Sequence, residues 1–287
     1  MKKLLFLIVF TNTVIFTATS QTYGWQDISA NLPELGGFND VHFVGKEGWI
    51  TGGNDKIYYT SDEGKAGTFS TLNFPASSGI SSSVFMKTAT DGYAVTFSGN
   101  ILHGVNNVWT TLYQPGGVFN SVHFPPSSTT GYTCGNNGKI WSFDNSTISD
   151  ISPSGVVSEL QSIIFPVDTS DGKVCGETVI RRYLSGSWNN LQFYDNTYFY
   201  NSIYFTDNSN GWAVGTQGTI IHTSDGTSWT IQTGNTTIEL NDVFFLTSLE
   251  GWAVGSGVLL HTTDGGTTWT QEAQILTSGK NLRAIYF

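Results

Sequence analysis

A unit of about 40 residues repeats along most of the chain, and this repeat constrains the fold more than any other feature. An aliphatic residue usually stands two positions before the phenylalanine that ends each unit's first apolar segment, so both side chains share one strand face. The recurring phenylalanines are Phe43, Phe85, Phe124, Phe165, Phe205, Phe245 and Phe287.

The units contain the signals of four short strands, although the fourth signal is degenerate in units one and three. A glycine and an aromatic residue open the second strand (Gly211-Trp212), an aliphatic–histidine pair marks the third (Ile221-His222), and a tryptophan opens the fourth (Trp229). Four strands at this period, without helical patterning, are typical of propeller blades. We therefore predict an all-β propeller of four-stranded blades.

The number of blades follows from the ends of the repeat. Phe287 ends the first strand of a seventh unit, and residues 21–28 with Trp25 have the pattern of a fourth strand. Seven units at this spacing need about 285 residues, more than follow position 20. We therefore predict six full repeats plus an N-terminal outer strand and a C-terminal inner strand. The seventh blade is expected to be incomplete, in a single domain over 21–287 that is truncated at its C-terminal end.

Residues 1–20 have the pattern of a secretory signal peptide. Lys2 and Lys3 precede a short apolar run, and Ala18-Thr19-Ser20 forms a cleavage motif before Gln21. The run is shorter than the ~17–25 residues that span a membrane. We expect an exported protein, whether secreted, periplasmic or on the cell surface, with no transmembrane segment after cleavage.

Charge excludes one class of partner. The chain has 12 basic and 22 acidic residues, a net charge of −10. Nucleic-acid binding depends on Lys and Arg at the phosphates, so we predict no nucleic-acid partner. Cys134 and Cys175 lie one repeat apart, which should place them beyond the reach of a disulfide, so we expect two buried thiols, with a bridge as the alternative in an exported protein.

A turn motif recurs between the third and fourth strands. The sequence reads Thr-Thr-Asp-Gly-Gly-Thr-Thr-Trp at 262–269, a copy one residue shorter at 223–229, and a decayed copy around Asp62. Aspartate in such a turn accepts backbone hydrogen bonds, glycine supplies the positive φ, and the tryptophan covers the hairpin. We predict structural roles for Asp62, Asp225, Gly226, Trp229, Asp264, Gly266 and Trp269.

These motifs resemble the Asp-box (BNR) propellers. The G-W-A-V-G strand coupled to I-x-H-T-x-D-G resembles most closely the photosystem II stability/assembly factor family and, more distantly, the sialidase-like propellers. The first resemblance implies a non-catalytic chaperone for a membrane subunit that uses a basic surface patch. The acidic composition departs from that pattern. The resemblance therefore predicts the fold of this protein and says little about its role.

An enzyme is the alternative, in the form of a sialidase-like or other Asp-box glycoside hydrolase. Resemblance to sialidases implies three convergent arginines, whereas Arg181 and Arg182 are neighbours on a strand and point to opposite faces. Glycosidases need a pair of carboxylates, and no pair stands out. His103, His222 and His261 occupy one column of the repeat and do not converge on a metal. We predict no catalytic residue, cofactor or metal.

The connections between blades share one face with the loops between second and third strands, and we expect a partner to bind there. The richest connection contains Phe193, Tyr194, Asp195 and Tyr198. Aromatic rings beside Asp and Asn suit a protein or glycan surface. The alternative is that these rings pack between blades four and five. Our first hypothesis is therefore an exported, non-catalytic propeller that binds protein or glycan, and a third is an assembly factor for a membrane complex.

Overall fold

The computed structural model describes residues 6–9, 15–18, 25–27, 31–33, 37–52, 55–155, 158–190, 197–272 and 281–287. Strands in these ranges form seven four-stranded sheets. Two 3-10 turns, Asn136–Gly138 and Thr216–Gly218, follow second strands. The predicted all-β propeller of four-stranded blades is confirmed.

One compact unit comprises Met1–Val118 and Ala273–Phe287. Two of its three sheets are built from consecutive strands. Blade 1 consists of Phe38–Val44, Glu47–Gly52, Lys56–Thr60 and Phe69–Asn73. Blade 2 consists of Ser81–Thr88, Asp91–Thr96, Ile101–Val105 and Val108–Tyr113.

The other compact unit, Phe119–Glu272, contains four blades of consecutive strands. Blade 3 consists of Phe119–His123, Gly131–Gly135, Ile140–Phe143 and Ile148–Asp150. Blade 4 consists of Leu160–Ile164, Asp171–Gly176, Val179–Leu184 and Ser187–Asn190. Blade 5 consists of Tyr200–Phe205, Gly211–Gly215, Ile220–Thr223 and Thr230–Gln232. Blade 6 consists of Leu240–Phe245, Gly251–Gly255, Val258–Thr262 and Thr270–Gln271.

Blade 7 combines the two ends of the chain. Its order is Leu282–Tyr286, Phe6–Val9, Ile15–Ala18 and Trp25–Asp27. The inner and outer strands lie where the repeat places them, but the two middle positions, expected to be empty, are filled from residues 1–20. An inner strand without a neighbour leaves its N–H and C=O groups unpaired, and the short apolar segments supply partners. The signal-peptide assignment of the same residues stays a prediction.

The recurring phenylalanine packs over the recurring glycine of the neighbouring strand. Phe205 lies opposite Gly211 in the blade 5 register, and a Cβ atom at position 211 would meet the Phe205 ring at 2.5 Å. Phe245 and Gly251 repeat the arrangement in blade 6. The ring occupies the space that a side chain at the glycine would fill.

Blade 2 differs from the predicted column. Met86, and not Phe85, lies opposite Gly92 and packs against it. Phe85 is on the other face of the strand, where its ring centroid lies 4.8 Å from that of His42. The prediction chose Phe85 because phenylalanine recurs in the other units. An offset of one residue puts a side chain on the opposite face of the strand, so Met86 takes the position over the glycine.

Aromatic stacking joins neighbouring blades of the second unit. Trp212 of blade 5 stacks on Phe245 of blade 6 with ring centroids 3.5 Å apart. In blade 4 the equivalent residue is Lys173, whose Nζ lies 4.6 Å from the centroid of Phe205. This fully buried ammonium also lies 2.9 Å from the Asp171 carboxylate. A buried charge is tolerated only when it is paired, as it is here.

Candidate functional site

A cleft of about 660 Å³ opens at one end of blade 5. The loop between the second and third strands and the connection to the next blade both leave the sheet at this end, because the strands are antiparallel. Tyr198, residues 217–219 and residues 231–238 line the cleft. It therefore lies on the face where the sequence predicts a partner.

Local hydrogen bonds and close packing shape the walls. Thr219 N–H donates to the Thr216 carbonyl over 3.1 Å and closes the first turn. Gly218 has φ +69°, and a Cβ there would meet the Thr236 carbonyl oxygen, so the turn lies directly on the opposite wall. In that wall Ile238 N–H donates to Thr236 Oγ1 over 3.1 Å.

The walls present apolar surface to solvent. Ile231 is 63% exposed, because it lies on the fourth strand, which forms the edge of blade 5. Ile238 is 38% exposed and Phe199, beside Tyr198 at the rim, is 43% exposed. These side chains give the cleft and its rim an exposed apolar component.

The lining offers hydrogen bonds and apolar contact. Gln, Thr and Asn side chains alternate with Ile and Gly, and the lining residues in the described part of the chain include no carboxylate, ammonium or imidazole group. Amide, hydroxyl and apolar groups arranged in this way are suited to binding.

The predicted ligand surface is only partly described. Tyr198 is half-buried, lines the cleft and packs against the apolar cluster that contains Ile203 and Phe205. The Tyr198 ring thus packs against the core and also faces the cleft, where it could contact a ligand. Phe193, Tyr194 and Asp195 lie outside the described residues.

Sequence reasoning missed Ile231 and Ile238. Aromatic content pointed to the connection at 193–198, whereas the two isoleucines bracket a polar stretch at 231–238. Two isoleucines on either side of a polar connection were the sequence signal for this cleft. The exposure of Ile231 depends on the edge position of a three-residue strand, which residue type does not encode.

The aspartate of the blade 5 turn caps backbone N–H groups. Asp225 Oδ1 accepts from Thr227 N at 2.8 Å and from Ser228 N at 2.6 Å. These bonds, that from Ser228 first, hold the pKa of the Asp225 carboxyl far below its usual range. Gly226 has φ +72°, and its N–H donates to Thr223 Oγ1 over 2.9 Å.

The blade 6 turn also contacts blade 5. Asp264 accepts from the Thr268 hydroxyl at 2.6 Å and the Thr268 N–H at 2.9 Å, which lowers its pKa. Gly266 has φ +85°. The neighbouring Gly265 carbonyl accepts from Trp212 Nε1 at 3.2 Å and from Gln232 Nε2 at 2.9 Å.

The tryptophans of the two turns are buried beside the phenylalanine column. Trp229 packs edge-on against Phe205 and Trp269 against Phe245, each with ring centroids 5.8 Å apart. Trp269 Nε1 also donates to Gln232 Oε1 over 3.3 Å.

The decayed turn in blade 1 uses its aspartate differently. Asp62 pairs with Lys65 at 2.7 Å and with Lys46 at 3.2 Å, and these lysines lower its pKa. Gly64 N–H still donates to Thr60 Oγ1 over 2.9 Å.

His103, His222 and His261, which share one position of the repeat, each contact residues of their own blade. His222 stacks on Trp212, and its Nε2 lies 2.7 Å from Asn210 Oδ1. His103 lies 2.8 Å from Asp91 in blade 2, and His261 stacks on Trp252 in blade 6. Within the ranges described above, no three His, Cys, Asp or Glu side chains are close enough to hold a metal ion.

Cys134 lies in a strand of blade 3, and Cys175, Arg181 and Arg182 lie in strands of blade 4. Arg182 makes a bidentate pair with Asp171 at 2.9 and 2.7 Å, whereas burial lowers the pKa of Arg181. Cys134 and Cys175 are free and buried, as predicted, and burial raises the pKa of both thiols. None of the helices described has both the length and the apolar character needed to cross a bilayer.

Comparison with known proteins supports the predicted resemblance. Residues 180–277 match the model of the family described as photosynthesis system II assembly factor YCF48. A structure described as YCF48 bound to D1 peptide is similar with a TM-score of 0.71 and 18% identity, over 88% of this chain and 87% of that chain. YCF48 from Cyanidioschyzon merolae has a TM-score of 0.67 and 16% identity, over 86% and 88%.

No curated protein gives a significant match. The predicted recognition of an Asp-box propeller with a repeat like that of the photosystem II assembly factors is confirmed.

Proposed function

We propose that this protein is a non-catalytic propeller that binds an extended segment of a partner protein in the blade 5 cleft. The exposed Ile231 in the uncharged cleft carries the proposal, since it offers apolar contact beside backbone and amide hydrogen-bonding groups. Extended segments use both kinds of contact when they bind beside a sheet edge. A propeller of the same fold is described as bound to a peptide, which is consistent with such a role.

An assembly-factor-like role on a larger complex fits the same proposal. The repeat over 180–277 is of the YCF48 type and includes blade 5, whose cleft would hold a subunit segment. Glycan binding by the connections between blades remains the competing hypothesis within the binding class.

We also propose that the protein is exported. Support comes from the basic start, short apolar run and cleavage motif of residues 1–20.

Substitution of Ile231 tests the site. In a screen of immobilised short synthetic peptides, we expect Ile231→Ser to weaken binding about tenfold, because an exposed apolar anchor contributes about 1–2 kcal/mol to binding. Leu249→Ser is the matched control, since Leu249 is 58% exposed at the opposite end of its blade's strands.

The proposal fails if no peptide binds, if Ile231→Ser and Leu249→Ser have equal effects, or if only a parallel glycan array retains the protein. Equal unfolding midpoints for the two variants would show that both remain folded.

A further inference from the structure

We infer that the partner segment carries an apolar side chain flanked by lysine or arginine. This inference rests on the proposed function, because it describes what the blade 5 cleft recognises. It is drawn from a row of backbone contacts that continues the cleft into blades 4 and 6.

The row begins in blade 4. Glu177 N–H donates to the Glu159 carbonyl over 2.8 Å, and Glu177 forms an isolated antiparallel bridge with Phe199. Thr216 N–H then donates to the Phe199 carbonyl over 3.0 Å at the entrance of the cleft. Glu177 therefore lies beside Phe199 along this row, whereas the Glu159 carboxylate accepts from Asn120 Nδ2 of blade 3 at 3.4 Å.

A third glutamate stands at the other end. Glu239 follows Ile238 of the cleft wall, and its Oε1 accepts from Asn201 Nδ2 at 3.0 Å. Asn201 lies in the strand that begins beside Phe199, so it ties this carboxylate to the same rim. Glu159 and Glu239 are exposed and Glu177 is half-buried. Carboxylates thus flank the uncharged cleft on both sides.

Cations of this unit do not neutralise the row. Residues 119–272 contain fourteen acidic and four basic residues. Lys139 pairs with Asp150 at 2.6 Å, whereas Lys173 and Arg182 pair with Asp171. Arg181, the fourth, is partly buried in the third strand of blade 4.

This charge distribution selects the occupant. An acidic segment or a second copy of this acidic chain would meet like charge, whereas a basic segment would be attracted and correctly oriented. The apolar side chain would lie against Ile231 and Ile238, and its basic neighbours would lie near Glu177 and Glu239.

The test uses synthetic peptides with one apolar centre, Leu or Phe, flanked on both sides by Lys, Gln or Glu. We expect the full chain to bind the Lys-flanked peptide about tenfold more tightly than the Glu-flanked one at low salt, because several exposed ion pairs add modest terms. The preference should decrease as salt screens the charges. The E159Q/E177Q/E239Q variant should lose it and keep its affinity for the Gln-flanked peptide.

Glu63→Gln is the control, because it removes a carboxylate in the blade 1 turn, outside the row, and it should leave the preference unchanged. Equal or stronger binding of the Glu-flanked peptide overturns the inference and leaves the proposed function standing, provided that Ile231→Ser still weakens binding. Binding of no peptide, or binding insensitive to Ile231→Ser, overturns both.

Discussion

Aspartate residues show how local surroundings divide one residue type into several roles. Asp225 and Asp264 accept backbone N–H groups in exposed turns, and Asp62 pairs with lysines at the surface. Asp40 instead lies between blades 1 and 2, where it accepts from Val41 N at 2.8 Å and from Val84 N at 2.9 Å. Removal from water outweighs these bonds and raises the pKa of Asp40 to about 6.

Asp40 is expected to make stability depend on pH. Because its pKa is raised in the folded state, its favourable contribution is complete below about pH 4 and is lost as the pH rises through about 6. Relative to Asp40→Asn, the unchanged protein should therefore lose stability between about pH 4 and pH 6, by no more than about 3 kcal/mol.

Urea midpoints across that range measure the difference. Asp62→Asn is the control, since the pKa of Asp62 is lowered and its effect falls at more acid pH. A difference between Asp40→Asn and the unchanged protein that stays constant with pH would contradict the assignment.

At the scale of the strand, blades 1 to 6 each place a large side chain at or near the end of the first strand over a glycine of the second. The first strand supplies Phe205 or Phe245, and the second supplies the glycine opposite. Trp212 then stacks on Phe245 of the next blade. The pairing within one sheet thereby sets the packing between two sheets.

Gly211→Ala is expected to destabilise the protein by about 1–3 kcal/mol, because overpacking forces the Phe205 ring away from its position. Gly234→Ala is the control, since the nearest atom to its Cβ is the terminal Cδ1 methyl of Ile220 at 2.8 Å and no aromatic ring lies there. Chemical denaturation measures both variants. Similar losses for the two would show that the Phe–Gly contact is not the cause.

For the whole molecule, the N-terminal segment has two competing uses. Its sequence has the pattern of a signal peptide, yet Phe6–Val9 pairs with Leu282–Tyr286 and with Ile15–Ala18 in blade 7. A strand that is removed on export cannot also complete the blade.

Comparison of the chain 1–287 with the chain 21–287 separates these uses. If the pairing stabilises blade 7, the shorter chain should have a lower urea midpoint and faster hydrogen exchange at residues 282–286, whose ladder partners are lost. Leu7→Pro in the longer chain should have part of the same effect, because proline cannot donate a ladder hydrogen bond. Equal midpoints and exchange rates would show that the pairing adds no stability.

The sequence by itself determined the features that local chemistry controls. The period of about 40 residues, the four-stranded pattern of the repeat, and the turns around Asp225 and Asp264 follow from alternation, glycine and short-range hydrogen bonds. These signals operate over a few residues, so they can be read before any long-range contact is known.

The tertiary structure alone decided which side chains meet across blades and which remain exposed. Only the register placed Met86 where the repeat suggested Phe85, and only packing put Lys173 over Phe205. The cleft required Ile231 on an edge strand and a turn pressed against Thr236, which lie on separate segments. Exposure and contact across blades depend on how segments assemble, and no local pattern in the sequence records that assembly.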